Sequence, residues 1–157
     1  MQVRAATKDD LEVLSKFFTE WVIYQVAVLG FVFDEEVFKH HLLGMIAENN
    51  VLVLEADDKI VGGIAGRIVG SFYSKDIIFD VMTMYIDPDY RKFTNQALES
   101  LEKILELTTV TKVVMANPAF IDSTKHLRYY KMKGYHLLQM SLIKDIKHPG
   151  VPACQPA

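Results

Sequence analysis

The sequence predicts an α/β domain in which helices flank one mixed β-sheet, and three observations carry that prediction. Helix-period apolar stripes alternate with β-branched runs, the elements follow the order βααβββαβαβ, and a strand-helix-strand crossover from Asp76 to Ala116 implies a parallel strand pair. A chain of 157 residues, half hydrophobic and a quarter charged, has the length and composition of one globular domain. Residues 1–147 are expected to form it. Residues 148–157, with three prolines and a glycine, are expected to be a flexible tail.

The opening run Val3 to Thr7 reads as a short strand, and Thr7 before Lys8-Asp9-Asp10 signals a helix start. Leu11, Leu14, Phe18 and Trp21 then form one apolar stripe. From Trp21 to Phe33 the chain is apolar almost all round, which suits core, an oligomer surface such as a homodimer contact, or the lid of a binding site. A second helix should start at Asp34, with Phe38, His41, Leu42 and Met45 on its inner face, and end at Asn49-Asn50. Val51 to Glu55 and Lys59 to Phe72 read as a hairpin turned by Asp57-Asp58. The four glycines of the second strand suit bulges or close packing better than a phosphate loop. Asp76 to Ile86 is apolar on both faces, broken by Asp80 and Thr83, and should lie inside the sheet. Asn95 to Thr108 is the clearest helix, with Ala97, Leu98, Leu101, Ile104 and Leu105 inward. Lys112 to Ala116 is the next strand, Asp122 to Lys133 a helix stopped by Gly134, and Tyr135 to Lys144 a final strand.

Several function classes are disfavoured before any motif is considered. The most apolar stretch is too short to cross a bilayer, so no membrane partner is expected. No secretory leader is read, which makes the cytoplasm the expected compartment. A single cysteine, Cys154, offers neither an internal disulfide nor a thiolate cluster, and the five histidines show no ligand spacing; no metal is expected. His41 reads as a satisfied core residue. Residues 1–80 hold 7 Lys/Arg against 13 Asp/Glu, a balance of −6, whereas residues 81–157 hold 10 against 7, a balance of +3. That split argues against a nucleic-acid partner and suits an anionic ligand on one half and a cationic one on the other.

Two patterns then stand out. One is Met84-Tyr85-Ile86-Asp87-Pro88-Asp89-Tyr90-Arg91, a strand ending in hydrophobic-x-hydrophobic-x-Pro with an arginine opening the following helix. The other is Tyr130-Lys131-Met132-Lys133-Gly134-Tyr135, a Tyr-x-x-x-Gly-aromatic sequence at a helix end. With the element order, these patterns resemble the GNAT superfamily of acyl-CoA-dependent N-acetyltransferases over nearly the whole chain. The resemblance implies a sheet splayed between its fourth and fifth strands, with acetyl-CoA as co-substrate in the splay. It implies cofactor contact from Met84, Tyr85, Ile86, Arg91, Lys92, Phe93, Thr94, Asn95 and Gln96, with Asn117 and Ser123 as further contacts. The sequence departs from the family in its pyrophosphate loop, since no glycine lies between Gly70 and Gly134. What remains for the phosphates is a helix N-terminus, capped by Thr94 or Asn95, beside the charges of Arg91 and Lys92.

The resemblance also implies Asp80 as general base and Tyr130 as the acid that protonates the leaving thiolate. An ammonium must lose its proton before it attacks a thioester, and a phenol can supply one to a thiolate. Each residue has a structural alternative. Asp80 could be a strand carboxylate bonded to a neighbouring backbone group or lysine, Tyr130 a core tyrosine one position from Tyr129, and Asn117 and Ser123 a turn residue and a helix cap. The activity so implied is acetyl transfer from acetyl-CoA to a primary amine, small-molecule or protein, by direct attack in a ternary complex. A non-catalytic acyl-CoA-binding or protein-interaction module on the same fold is the alternative. A structural or inhibitory protein that binds through Trp21 to Phe33 is the third.

Overall fold

The computed structural model describes residues 2–28, 32–115 and 123–136, the side chains of 24–28 and 123–126 excepted. Two compact units divide the chain, residues 1–22 with 34–116 and residues 23–33 with 117–157. In the first unit a five-stranded sheet runs in the order β1-β2-β3-β4-β5, formed by Gln2–Ala5, Val51–Ala56, Lys59–Gly70, Ile77–Ile86 and Lys112–Met115. The first four strands pair antiparallel, and β4 pairs with β5 in parallel across the crossover. β4 is therefore internal, as its apolar faces require. The expected order is observed through the helix at Ser123–Met132; the expected strand Tyr135 to Lys144 lies outside the described residues from position 137 onward.

Helices α1 (Leu11–Val28) and α2 (Glu35–Ala47) belong to one face of the sheet, and α3 (Thr94–Leu105) to the other. On the α1 side, Leu14 and Phe18 are fully buried with Leu42, Val51, Val53 and Ala65. On the α3 side, Ala97, Leu101 and Leu105 close over Leu52, Leu54, Ile64, Phe79, Val81 and Ile86. Close approach is what the β3 glycines permit. A Cβ at Gly63 would stand 2.7 Å from Leu14 Cδ2, and one at Gly66 would stand 2.7 Å from both the Asp80 oxygen and Phe79 Cζ.

Local signals set the element ends. Asp34 caps α2 by accepting from the Val37 amide at 3.0 Å, and Asn49 ends that helix in the left-handed region at φ 58°. Asp57 and Asp58, both at positive φ, form the tight turn that joins β2 to β3. Asp10 accepts from the Thr7 amide at 2.7 Å and from the Thr7 hydroxyl at 2.9 Å, which opens α1 through a short 3-10 turn. His41 corrects its expected place. It is exposed, because the buried stripe of α2 is centred on Leu42 and Ile46, and one residue's step of about 100° turns position 41 off it.

Candidate functional site

The site is built around an irregularity in β4. Thr83 pairs with Ala65 and Val81 with Gly66, so Met82 is an extra residue on β4, a β-bulge. One inserted residue reverses the alternation of faces. Before it, Phe79 and Val81 face α3; after it, Met84 and Ile86 do. Asp80, Thr83 and Tyr85 consequently share the α1 side, where Tyr85 packs against the α1 core. Pairing with β5 covers only Ile78 to Val81, against Lys112 to Met115. β4 runs on to Ile86 past the last described β5 pair, and the chain after Met115 lies outside the described residues.

Asp80 is paired across the sheet. Its cross-strand partner Arg67 donates from Nε and Nη2 to its Oδ2 at 3.2 and 3.1 Å, and Asp80 is about one-quarter exposed. The sequence had supplied a neighbouring backbone group or lysine as its partner. Register places the arginine there instead.

After β4, Asp87 caps the turn by accepting from the Asp89 amide at 3.0 Å, and Pro88–Phe93 forms a 3-10 helix that passes directly into α3. No residue of this turn adopts positive φ. Without a glycine to open it, the chain winds helically where a phosphate loop would flare. The helix N-cap is Phe93, which offers no side-chain cap, so neither Thr94 nor Asn95 caps α3. Thr94 turns both its amide and its hydroxyl back to the Arg91 carbonyl, the hydroxyl at 2.7 Å. The turn is braced from outside by the Tyr90 hydroxyl, which donates to Asp57 Oδ2 at 3.1 Å, and by the stack of Tyr90 on Phe93. Lys92 Nζ lies 5.1 Å from the Phe93 ring centroid, and Arg91 and Lys92 are both exposed. Asn95 and Gln96 are exposed on the first turn of α3, which carries no acidic residue. Two cations beside a helix N-terminus can hold phosphate oxygens.

In the second unit, Tyr130 lies on α4 (Ser123–Met132), half-buried. Burial first, and then its neighbour Tyr129, raises its phenol above the ordinary range. Gly134, at φ 86°, ends the helix as a left-handed C′ residue. Ser123 opens this helix, and Asn117 lies outside the described residues.

Sequence reasoning missed the environment of Tyr85. Its ring stacks on Phe17 of α1 with centroids 5.3 Å apart and planes at 20°. Burial, followed by the charges of Glu20 and Asp87, raises its pKa, with Arg91 opposing. The Thr83 hydroxyl, buried on the same face, is the one buried side-chain polar atom without a hydrogen-bond partner among the described residues. The signal for both was the bulge, which no composition rule reveals.

No family model matches the chain, and no curated protein matches it. Solved structures do. A possible acetyltransferase from Clostridium difficile 630 superposes with TM-score 0.70 at 17% identity, covering 94% of this chain and 98% of its own. A predicted acetyltransferase with acetyl-CoA from Clostridium acetobutylicum gives 0.69 at 15%, covering 92% and 95%. An aminoglycoside acetyltransferase from an uncultured soil metagenomic sample, in complex with sisomicin, gives 0.62 at 16%, covering 93% and 96%. The fold is that of the GNAT-type acetyltransferases.

Proposed function

We propose that this protein is an N-acetyltransferase that moves an acetyl group from acetyl-CoA to a primary amine. The observation that carries the reading is the Met82 bulge in β4, followed by a helix start bearing Arg91 and Lys92. Structural neighbours with the same fold include one described with acetyl-CoA and one described as an aminoglycoside acetyltransferase.

The residues fit the co-substrate on their own chemistry. Arg91 and Lys92, exposed beside the start of α3, suit a pyrophosphate. Acetyl-CoA supplies an activated thioester carbonyl. Asp80 takes the proton of the incoming ammonium, and Tyr130, held protonated by burial, delivers one to the departing thiolate. The C–N bond forms as the C–S bond breaks, with no acyl group on the protein. The −6 balance of residues 1–80 favours a cationic acceptor.

A second reading has a specific observation in its favour. Thr94 spends its amide and hydroxyl on the Arg91 carbonyl, so a module that binds acyl-CoA, or a protein partner, without turnover is the alternative. Calorimetric titration with acetyl-CoA followed by turnover with an amine panel separates the two. Binding with turnover is expected; binding without turnover would select the second reading, and no binding would reject both acyl-CoA readings.

A further inference from the structure

The turn that carries Arg91 and Lys92 commits several of its main-chain donors to itself. The Asp89 amide donates to Asp87 Oδ1 at 3.0 Å, the Tyr90 amide to the Asp87 carbonyl at 2.8 Å, and the Thr94 amide to the Arg91 carbonyl. The charge it offers a phosphate is on two exposed side chains, so their use depends on how firmly their backbone is held. Asp87 fixes the entry, because its amide donates to the Val61 carbonyl of β3 at 2.8 Å. A second tie reaches in from another loop. The Tyr90 ring packs against the α3-side core and stacks on Phe93, and its hydroxyl donates to Asp57 Oδ2 at 3.1 Å. Asp57 stands in the two-residue turn between the paired Ala56 and Lys59, so its side chain starts from a fixed point.

We infer that Asp57 is a positioning residue for acetyl-CoA: through Tyr90 it holds the Arg91–Lys92 turn in the shape that meets the phosphates. The inference rests on the acetyl-transfer reading and adds to it a residue from outside the phosphate turn. Tyr90 adjoins Arg91, so the bonded phenol fixes the backbone from which the guanidinium leaves, and Thr94 fixes it from the other side. Long cationic side chains lose freedom when they bind, and a backbone already fixed at their root limits that loss. Two other roles compete. The bond could be a strut that only stabilises the fold, or the Asp57 charge could simply repel phosphates. The three roles differ in what each variant changes.

Calorimetry and steady-state kinetics on the full chain separate them. Tyr90→Phe keeps the ring and removes the donor without altering charge. It should weaken acetyl-CoA affinity about 3- to 10-fold and raise KM for acetyl-CoA to match, with kcat unchanged. The melting temperature should hold, because Asp57 is exposed and such a bond adds little to the fold. Asp57→Gly, which adopts φ 51° without strain, should do the same, whereas Asp57→Asn keeps an acceptor oxygen and should bind at least as well as wild type. The double variant Tyr90→Phe/Asp57→Gly should lose no more affinity than either single one. A lower melting temperature with unchanged affinity would overturn the inference in favour of the strut, and tighter binding in Asp57→Gly would overturn it in favour of the charge; both leave the acetyl-transfer reading intact. A wild type that binds no acetyl-CoA defeats that reading instead. Inorganic pyrophosphate then decides the inference: binding that weakens 3- to 10-fold in Tyr90→Phe supports it, and no binding, or no difference between the two proteins, overturns it.

Discussion

The main-chain carbonyl of Tyr130 accepts the Tyr135 amide at 3.0 Å, and the two rings meet edge-on with centroids 5.5 Å apart. The Gly134 amide donates to Lys131 at 3.1 Å in the same turn. These are the two hydrogen bonds and the apolar contact of a Schellman helix end, so the Tyr-x-x-x-Gly-aromatic pattern has a structural cause independent of catalysis. Chemistry and capping are separable at Tyr130, since the ring serves the cap and the hydroxyl alone can serve as acid.

Tyr130→Phe therefore should keep the melting temperature within about a degree or two while turnover falls by ~10² to 10⁴. Tyr129→Phe should change the rate little. Tyr130→Ala should lose stability as well, by about 1–3 kcal/mol, because the ring contact goes. Because the phenol pKa is raised, loss of the donor proton should appear as a fall in rate only above pH ~10. Wild-type turnover in Tyr130→Phe would leave the residue with its capping role alone.

Arg91 and Lys92 should reveal themselves through salt. Acetyl-CoA affinity should weaken as ionic strength rises from about 0.05 to 0.5 M, and Arg91→Ala should weaken it further, by roughly 5- to 20-fold. The salt dependence should be shallower in the variant because one charge has left the contact. Titration calorimetry at three salt concentrations checks both; identical affinities throughout would move the phosphate site away from α3.

Arg4 clamps Asp10 with bonds of 2.8 and 2.9 Å and reaches Glu55 at 2.8 Å, while Asp10 itself is 6% exposed. The guanidinium bonds hold the Asp10 carboxyl well below the usual range against its burial, with the Thr7 bonds assisting. A carboxylate depressed in the folded state stabilises fully above its unfolded pKa of about 3.9 and loses that contribution as pH falls through the folded value. Asp10→Asn should cost about 1–3 kcal/mol at pH 7, and its melting-temperature deficit should shrink steadily below pH ~4. A deficit that stays constant down to pH 2 would assign the loss to packing.

Periodic elements were legible in the sequence because burial writes itself into spacing: Leu14 and Phe18, Leu42 and Ile46, and Leu98 and Leu101 all lie where a 3.6-residue repeat puts them. Turn chemistry was legible at Asp34, Asp57-Asp58 and Gly134 for the same reason. What escaped depends on register between distant strands. Arg67 opposite Asp80 and the inserted Met82 follow from pairing across 13 and more residues, which no local window contains. Thr94 escaped because its polar side chain can cap or back-bond, and only the completed turn decides between the two.

Asp80 is where base and structural roles can be set against each other most directly. If it is the base, its work is to remove a proton from an ammonium whose pKa is about 10.4, which leaves roughly one molecule in 2,500 unprotonated at pH 7. Asp80→Asn should then lower kcat/KM by ~10² to 10³ at pH 7, and the defect should fade as pH approaches 10, where solvent has already done the deprotonation. If Asp80 serves only to pair Arg67, the loss should be a pH-independent change of at most about 1 kcal/mol in stability, because the guanidinium is mostly exposed. Arg67→Gln separates the cases further. A base freed of its partner keeps the chemistry, whereas a strut loses the same stability from either side, and the double variant loses no more than each single one. Rates and melting temperatures of the three variants between pH 7 and 10 distinguish the outcomes, and a constant rate ratio across that range would end the assignment of Asp80 as base.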